Sequence, residues 1–207
     1  MATAPPTVKV GSSARRRSRP DGGSTMICNG IDTDQLAAFA GLVTSGPEAV
    51  IVSTRVRTRW EERYRTHVAA EGFELGADRI PRSATLSVDR PQELGGTDGG
   101  PAPGELILAA LGSCVAQTFV EAAAMTGVRV DRLELAAQGN LDLRGNAGVE
   151  GVRPGLARIH LDVEVACDAD EGVVDALLAD AVRRSPIADS LAAGVQVRAS
   201  VRQPHLA

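Results

Sequence analysis

The spacing of apolar residues along this 207-residue chain changes several times, and each spacing predicts a different element. Apolar residues recur at helical intervals from Asp32 to Ser45, and Gly46-Pro47 ends this predicted helix. From Val50 to Val68 the apolar and β-branched residues occupy every second position, which is typical of strands. Glu61-Glu62-Arg63 interrupts the alternation, so we expect two strands joined as a hairpin.

A long apolar helix is predicted from about Ala102 to Met125, and no residue between Leu106 and Ala116 is charged. Pro101 and Pro103 suit its start, where the backbone amides have no helical partner to lose. Strands and helices occur in groups and do not alternate strictly, which predicts an α+β fold. The remaining predicted elements are strands at 84–89, 133–143 (kinked at Gly139), 159–167 and 195–201, an amphipathic helix at 170–184, and a short helix capped by Ser185-Pro186.

The composition limits how such a fold is stabilised. Hydrophobic residues make up 43% of the chain but aromatic residues only 2%, so the core must consist of aliphatic side chains. These bury less area each, which makes self-association a route to sufficient burial. The uncharged run in the central helix is much shorter than the roughly 20 residues that a membrane span needs. We therefore expect a buried helix and no membrane partner.

The formal charge of −4 is unevenly distributed. Residues 1–25 carry +4, include Arg15-Arg-Arg-Ser-Arg19 and show no apolar period, so we expect a disordered basic tail. Residues 26–207 carry the remaining −8 and are expected to form a single domain. An acidic body argues against nucleic acid as the main partner.

The cysteines and histidines exclude several classes of protein. Three cysteines are too few for the disulfide framework of a secreted domain, and the N-terminal sequence has no apolar signal segment. We therefore expect a reduced, cytoplasmic protein. The three histidines lie far apart in sequence, and the Gly-rich segment 95–100 lacks the Gly-Lys-Ser/Thr ending of a phosphate loop. No metal and no cofactor are expected.

Cys114 is the main candidate for chemistry because it lies inside the long apolar helix. Spacing alone favours core packing, but Gln117 and Thr118 on the same helical face are polar. A thiol attacks as the thiolate, and Cys114 lies too far along the helix for the positive helix end to stabilise that form. An arginine from another segment would have to do so. Cys167 is expected to pack in the core, and Cys28 has no evident partner.

Six short segments between Arg57 and Val201 are weak signals singly, but their order and spacing together are specific. They are Leu94-Gly-Gly, Pro101-x-Pro-x-Glu-Leu-x-Leu-Ala-Ala-Leu-Gly-Ser-Cys114, Gly127-Val-Arg-Val, Gly139-Asn-Leu-Asp-Leu-Arg144-Gly, Val152-Arg-Pro-Gly155 and Arg184-Ser-Pro-Ile187. Together they resemble the OsmC/Ohr family of organic hydroperoxide reductases. The resemblance implies an OsmC-like α+β fold over residues 26–207. It also implies an intertwined homodimer, in which antiparallel sheets wrap two long central helices.

The resemblance further implies that Cys114 is the peroxidatic thiol. Its thiolate would attack the O–O bond of an organic hydroperoxide, giving an alcohol and a cysteine sulfenic acid. Peroxidase members carry a second cysteine directly before a proline, and Ser185 stands at that position. Serine cannot form the resolving disulfide, so an external thiol reductant is expected. Ser185 by itself is typical of a helix N-cap.

Two supporting residues are implied in the same way. The family glutamate usually lies ten residues before the thiol, whereas Glu105 lies nine before Cys114 and therefore half a turn away around the helix. The activating arginine matches Arg63 or Arg65 on the early hairpin, or Arg90 before the Gly-rich loop, and we prefer Arg63. The predicted catalytic set is Cys114, Arg63 and Glu105.

The leading hypothesis is a cytoplasmic, thiol-dependent peroxidase, or the relic of one, in which Cys114 is the sole redox thiol. The alternative is a non-catalytic homodimer that binds a small apolar molecule in an interface cleft lined by Cys114. A purely structural dimer is a third possibility. An arginine guanidinium within hydrogen-bond reach of the Cys114 sulfur in the dimer would favour the first.

Overall fold

The computed structural model describes residues 26–46 and 50–201 and confirms the α+β class. The predicted basic tail, residues 1–25, lies outside the described residues. In chain order the elements are β1 (Ile27–Cys28), β2 (Ile31–Asp32), α1 (Thr33–Ser45), β3 (Val52–Glu62), β4 (Arg65–Leu75), β5 (Asp78–Ile80), β6 (Thr85–Val88), α2 (Pro103–Met125), β7 (Val130–Asn140), α3 (Leu143–Asn146), β8 (Arg158–Cys167), α4 (Glu171–Arg184) and α5 (Pro186–Ala193).

The predicted hairpin is confirmed as β3 and β4, which pair antiparallel around the turn Arg63-Tyr64. Arg63 has a φ of 48°, a backbone conformation that residues other than glycine seldom adopt. On its other edge β4 pairs with β6, with Thr66 opposite Val88, and with the short β5. This register brings the end of β6 alongside the tip of the hairpin.

A second antiparallel pair is formed by β7 and β8, whose register runs from Val130 opposite Cys167 to Asn140 opposite Arg158. The predicted kink at Gly139 is wrong, because Gly139 continues the regular register opposite Ile159. The irregularity lies at the other end of β7, next to Val130. A glycine in a strand does not bend the strand when its backbone keeps both ladder partners.

The described chain divides into two compact units, each with its own core. The first comprises residues up to Leu108 together with Ala124–Arg129, and the second comprises Ala109–Ala123 together with the residues from Val130 onward. Buried apolar residues of the first unit are Leu75, Val88 and Ala124; those of the second are Leu111, Val115, Phe119, Ala122, Ala123, Leu177 and Ala181. Apart from Phe119 these side chains are aliphatic, as the composition predicts.

The central helix α2 has the predicted bounds within one residue, but only one stripe of it is buried. Val115 and Phe119 are fully covered, whereas Ile107 is 42% exposed. Only 28% of the most apolar stretch of α2 is buried. By length and composition alone such a helix could cross a membrane, a test that core helices of soluble proteins also pass. The prediction of a buried helix is therefore wrong for most of α2 in the single chain, which supplies cover for one side only.

The C-terminal helices follow their local sequence signals. The Ser185 side chain caps α5 by accepting a hydrogen bond of 3.2 Å from the backbone N–H of Ala188, and Pro186 occupies the first turn. Ser185 is completely buried. The hydrogen bond from Ala188 and the position of Pro186 confirm the interpretation of Ser185 as a helix cap.

The predicted last strand is wrong for this chain. Residues 194–201 form neither strand nor helix, and Val197 is 88% exposed. The alternation of valines is present, but no described strand lies alongside to accept the backbone hydrogen bonds that a strand needs.

Phe119 is the one aromatic side chain in the core and provides a test of that core. Phe119→Ala removes a side chain that is 1% exposed, and we expect it to lower the free energy of unfolding by about 3–5 kcal/mol. Val173→Ala, at a site 43% exposed on α4, serves as the control and should change it by less than about 0.5 kcal/mol. The measurement is urea denaturation of both variants. Equal losses would contradict the assigned core.

Candidate functional site

The segment between β6 and α2 is organised by the buried carboxylate of Asp89, which is 1% exposed. Its Oδ1 accepts the backbone N–H of Arg90 at 2.8 Å. Its Oδ2 accepts the Thr97 N–H at 2.9 Å, the Thr97 hydroxyl, and the Gly99 N–H at 3.2 Å. A charge taken out of water is costly unless such donors replace the solvent. We call residues 89–100 the Asp89 loop.

These donors also lower the pKa of the Asp89 carboxyl. The Thr97 hydroxyl has the largest effect, and the backbone N–H groups of Arg90, Gly99 and Thr97 add to it against the opposing effect of burial. Together they hold the pKa of the Asp89 carboxyl well below its usual range. The carboxylate is therefore charged throughout the neutral pH range.

Backbone contacts close the Asp89 loop as well. The Asp98 N–H donates to the Arg90 carbonyl at 3.1 Å, and the Asp89 N–H donates to the Pro101 carbonyl at 3.3 Å. Gly96 is packed so closely that a Cβ there would lie 1.8 Å from the Arg90 carbonyl oxygen. The loop therefore needs glycine at this position and has little freedom to rearrange.

The Asp89 loop meets the tip of the β3–β4 hairpin at two points. The Arg63 guanidinium donates to the Gly95 carbonyl at 3.1 Å. The Arg90 guanidinium lies over the Tyr64 ring, 4.4 Å from its centre. The indole N–H of Trp60 donates to the Arg63 carbonyl at 3.0 Å, which fixes the turn itself. We call Trp60, Arg63, Tyr64, Arg90 and Gly95 the hairpin-tip cluster.

The three candidate arginines have different surroundings. Arg65 is paired with the carboxylates of Glu61 and Glu62. Among the described residues, no carboxylate lies within ion-pair distance of Arg63 or Arg90. The structure thus brings Arg63 and Arg90 together at one loop and holds Arg65 in an ion-pair network. This arrangement keeps the charge of Arg63 available to a ligand.

Cys114 lies in the middle of α2, in the second unit, and is a free, half-buried thiol. One side of its helical face is closed by Leu111, which is 5% exposed, while Gln117 on the other side is exposed. The Thr118 hydroxyl donates to the Cys114 carbonyl at 2.9 Å and is thereby turned towards the backbone. Cys114 therefore lies at the edge of the buried stripe of α2.

Glu105 lies at the start of α2, where its carboxylate accepts the backbone N–H of Ala102 at 2.7 Å. This contact is the return half of a capping box and stabilises the first turn. The exposed Glu105 carboxylate therefore has a local structural role. Its predicted catalytic role, like those of Cys114 and Arg63, stays a prediction.

The other two cysteines have backbone partners. The Cys28 thiol donates to the Val128 carbonyl at 3.5 Å, and Asn29 Nδ2 donates to the same oxygen at 2.9 Å. Cys167 is half-buried on its strand, with its sulfur 3.9 Å from the Ala169 carbonyl oxygen, so it is not among the buried core residues that it was expected to join. No group of three or more metal-ligating side chains occurs within residues 26–46 and 50–201.

The family assignment follows from a comparison with known proteins. A profile of the OsmC-like protein family matches residues 96–200, which is just over half of the chain. The chain belongs to the OsmC-like family. The matched range includes Glu105, Cys114 and Ser185, whereas the hairpin-tip residues Arg63 and Tyr64 lie before it.

Solved structures of OsmC-like proteins share this fold at low sequence identity. An OsmC-like protein from Mycoplasma pneumoniae matches with a TM-score of 0.55 and 17% identity, over 69% of this chain and 89% of that one. An OsmC-like protein of unknown function from Vibrio cholerae gives 0.54 and 14%, over 67% and 92%. An organic hydroperoxide resistance protein from Elizabethkingia anophelis, with thiocyanate bound, gives 0.51 and 15%, over 69% and 89%. No curated protein sequence matches the chain. These likenesses confirm the predicted OsmC-like fold.

Sequence reasoning did not identify Asp89 or Tyr64 as part of a site. The backbone N–H groups that donate to Asp89 belong to residues one, eight and ten positions later, and these separations match no helix or strand period. The available signal was an aspartate at the end of a strand followed by a Gly-rich loop. Aspartate commonly accepts backbone N–H groups in such a turn.

The lowered pKa of Asp89 predicts an acid-dependent loss of stability. An unfolded aspartate titrates near pH 3.9, so the contribution of Asp89 is present above about pH 4 and is lost as the pH falls towards the lower folded-state pKa. Asp89→Asn should therefore be less stable than the parent at pH 7 and lose less stability between pH 4 and pH 2.

The free energy of unfolding, measured by urea titration at several pH values, checks this expectation. Thr97→Val removes the hydroxyl that lowers the Asp89 pKa most and should give an intermediate pH dependence. If the curves of the parent and Asp89→Asn run parallel below pH 4, the carboxylate does not have the proposed electrostatic role.

Proposed function

We propose that this OsmC-like protein is a cytoplasmic, thiol-dependent organic hydroperoxide reductase in which Cys114 is the only redox thiol. The observation that carries the proposal is the position of Cys114, a free and half-buried thiol at the edge of the apolar stripe of α2. The family match supports a peroxide-related role, since it spans α2 and the residues that follow it.

The proposed reaction oxidises one sulfur and reduces one O–O bond. The Cys114 thiolate attacks the terminal peroxide oxygen, an S–O bond forms, and the O–O bond breaks. The departing alkoxide takes a proton and leaves as the alcohol, while sulfur becomes a sulfenic acid. An external thiol then attacks that sulfur and releases water, and a second thiol reduces the resulting mixed disulfide.

Ser185 explains why the reductant must be external. Its hydroxyl is buried and is occupied as the cap of α5, and oxygen cannot form a disulfide with the oxidised sulfur. Serine at this position caps the helix and provides no internal route of reduction.

Arg63 is our proposed activating cation. Among the described residues its guanidinium contacts the Gly95 carbonyl and no carboxylate, so its charge is not neutralised locally. Arg65, by contrast, is already paired with Glu61 and Glu62. A nearby guanidinium favours the thiolate over the thiol and so increases the reactive fraction at neutral pH. Glu105 supports the site by fixing the start of the helix that carries Cys114.

Cumene hydroperoxide tests the role of Cys114. Under anaerobic conditions, one equivalent should convert the thiol of Cys114 into a sulfenic acid that a dimedone-type reagent traps, and mass spectrometry should locate the adduct. Cys114→Ser should consume no peroxide, whereas Cys28→Ser and Cys167→Ser should react at the parental rate. If Cys114 remains a thiol in modest excess peroxide, the reductase proposal is wrong, and binding of an apolar ligand becomes the better explanation.

Arg63→Gln tests the activating cation through its pH dependence. Removing the guanidinium takes away the charge that would favour the thiolate, and this loss matters most at low pH, where the thiol form predominates. The second-order rate of Cys114 oxidation should therefore fall about tenfold or more at pH 6 and much less at pH 9. Arg65→Gln is the matched control, since its charge is already paired. A loss that is the same at both pH values would contradict the proposal.

We propose that the working form is a homodimer. The single chain leaves apolar side chains exposed along β3, with Val52 at 53%, Val56 at 59% and Trp60 at 67%. Much of α2 is also uncovered. Such surface is typical of an interaction site, and a second copy would cover it with the aliphatic area that one chain lacks.

Sedimentation equilibrium tests the dimer. The parent should sediment at twice the chain mass of 21.5 kDa. Val56→Asp places a charge on the apolar face of β3 and should shift the equilibrium towards the monomer. Val173→Asp introduces the same charge on α4 and should leave the dimer intact. A parent protein that sediments as a monomer at micromolar concentration would overturn the proposal.

A further inference from the structure

The Asp89 loop has no role in the chemistry described so far, although its packing is unusually complete. Asp89 is one of two buried polar side chains in the described part of the chain, and the other, Ser185, is accounted for as a helix cap. A buried charge with four donors is costly to assemble and specifies a single loop conformation. The question is therefore what that conformation holds in place.

The Asp89 loop holds the tip of the hairpin. Its two contacts with that tip are the Gly95 carbonyl, which accepts from Arg63, and the Arg90 guanidinium, which covers Tyr64. Arg63 itself is exposed, and among the described residues the Gly95 carbonyl is the one hydrogen-bond acceptor of its guanidinium. A long arginine side chain loses much rotamer freedom on being held in one direction. The Gly95 carbonyl of the Asp89 loop supplies the contact that restricts the Arg63 side chain.

Asp89 controls both contacts through the backbone. The residue after it, Arg90, donates its N–H to Asp89 and accepts the N–H of Asp98. The Gly95-Gly96 turn between them is tied back by the Gly96 N–H, which donates to the Pro91 carbonyl at 3.0 Å. Because Gly96 has no room for even a Cβ, the turn can move only if the whole loop moves.

We propose that Asp89 is a positioning residue that orients Arg63 by holding the Gly95 carbonyl and Arg90 against the hairpin tip. The catalytic consequence rests on the proposed function, in which Arg63 stabilises the Cys114 thiolate. Asp89 touches no reacting atom in this scheme and acts through Arg63. A residue that acts through another should have no further effect once that other residue is removed.

A double-mutant cycle tests this dependence. The variants are Asp89→Asn, Arg63→Gln and the pair, with Asp142→Asn as the matched control. Asp142 also accepts a backbone N–H and caps a helix, but its carboxylate pairs with Arg144 and it belongs to the second unit. The readout is the pH profile of Cys114 oxidation by cumene hydroperoxide.

Asp89→Asn should slow the reaction at pH 6 by about tenfold, approaching Arg63→Gln, and should move the midpoint of the pH profile in the same direction. The pair should be no slower than Arg63→Gln alone, and Asp142→Asn should behave as the parent. If the two losses multiply in the pair, Asp89 acts independently of Arg63 and the proposal is overturned. A loss at all pH values without a shifted midpoint would overturn it as well.

Trp60 provides a second readout that does not depend on peroxide chemistry. It is the only tryptophan in the chain, and its indole N–H donates to the Arg63 carbonyl. In a Cys114→Ser background, Asp89→Asn should shift the indole ¹H–¹⁵N resonance and increase acrylamide quenching of the tryptophan fluorescence. Asp142→Asn should do neither. An unchanged indole signal in Asp89→Asn would overturn the positioning role even if Cys114 proves to be a peroxidatic thiol.

Thr97→Val distinguishes loss of the positioning contact from simple unfolding of an Asp89 variant. It removes one donor and leaves the Asp89 carboxylate and its backbone N–H donors in place. Circular dichroism at 25 °C should match the parent, while the indole shift and the loss of rate at pH 6 should be in the direction of Asp89→Asn but smaller. A folded Thr97→Val protein with a parental indole signal and a parental rate would contradict the proposal. If Cys114 consumes no peroxide, the proposed function fails, whereas the indole readout still decides the role of Asp89.

Discussion

The buried carboxylate of Asp89 is the interaction that organises the segment between β6 and α2 and, in our proposal, also holds the hairpin-tip cluster. Four donors surround the carboxylate, and all come from residues that follow it in the chain. A charged hydrogen bond is stronger than a neutral one, and several of them on one carboxylate offset the loss of water. The loop that results connects β6 directly to the helix that carries Cys114. A single side chain thereby sets the geometry of the segment before α2.

The elements that could be predicted from the sequence are those stabilised by neighbours in the sequence. The β3–β4 hairpin follows from alternation interrupted by polar residues, and the cap at Ser185-Pro186 follows from two residues with strong positional preferences. The prediction of a final strand was wrong because that strand depends on a neighbour that is distant in the sequence. Its valines alternate correctly, but a strand also needs a neighbour that the described chain does not provide.

The candidate site was predicted only in part, because it combines local and distant contacts. Cys114 and the alternatives Arg63, Arg65 and Arg90 were all named from motifs. The sequence did not predict which groups each guanidinium contacts. Arg65 pairs with glutamates close in sequence, whereas Arg90 lies over the Tyr64 ring. The contact of Arg90 with Tyr64 follows from the register of β4 with β6, which places Thr66 opposite Val88 and so brings the residues after β6 to the hairpin tip.

The low aromatic content links the fold to the proposed chemistry. With Phe119 as the one aromatic residue in its core, the chain buries its small aliphatic side chains along a narrow stripe of α2. Cys114 lies at the edge of that stripe and not at its centre, and it is half-buried. A sulfenic acid formed there would meet no second cysteine at position 185, where the chain has a serine. The buried hydroxyl of Ser185 is used instead to cap α5. Its lifetime under the proposed mechanism would then be set by how readily an external thiol reaches that edge. Access to the edge of α2, more than the reactivity of the sulfur alone, would therefore control turnover.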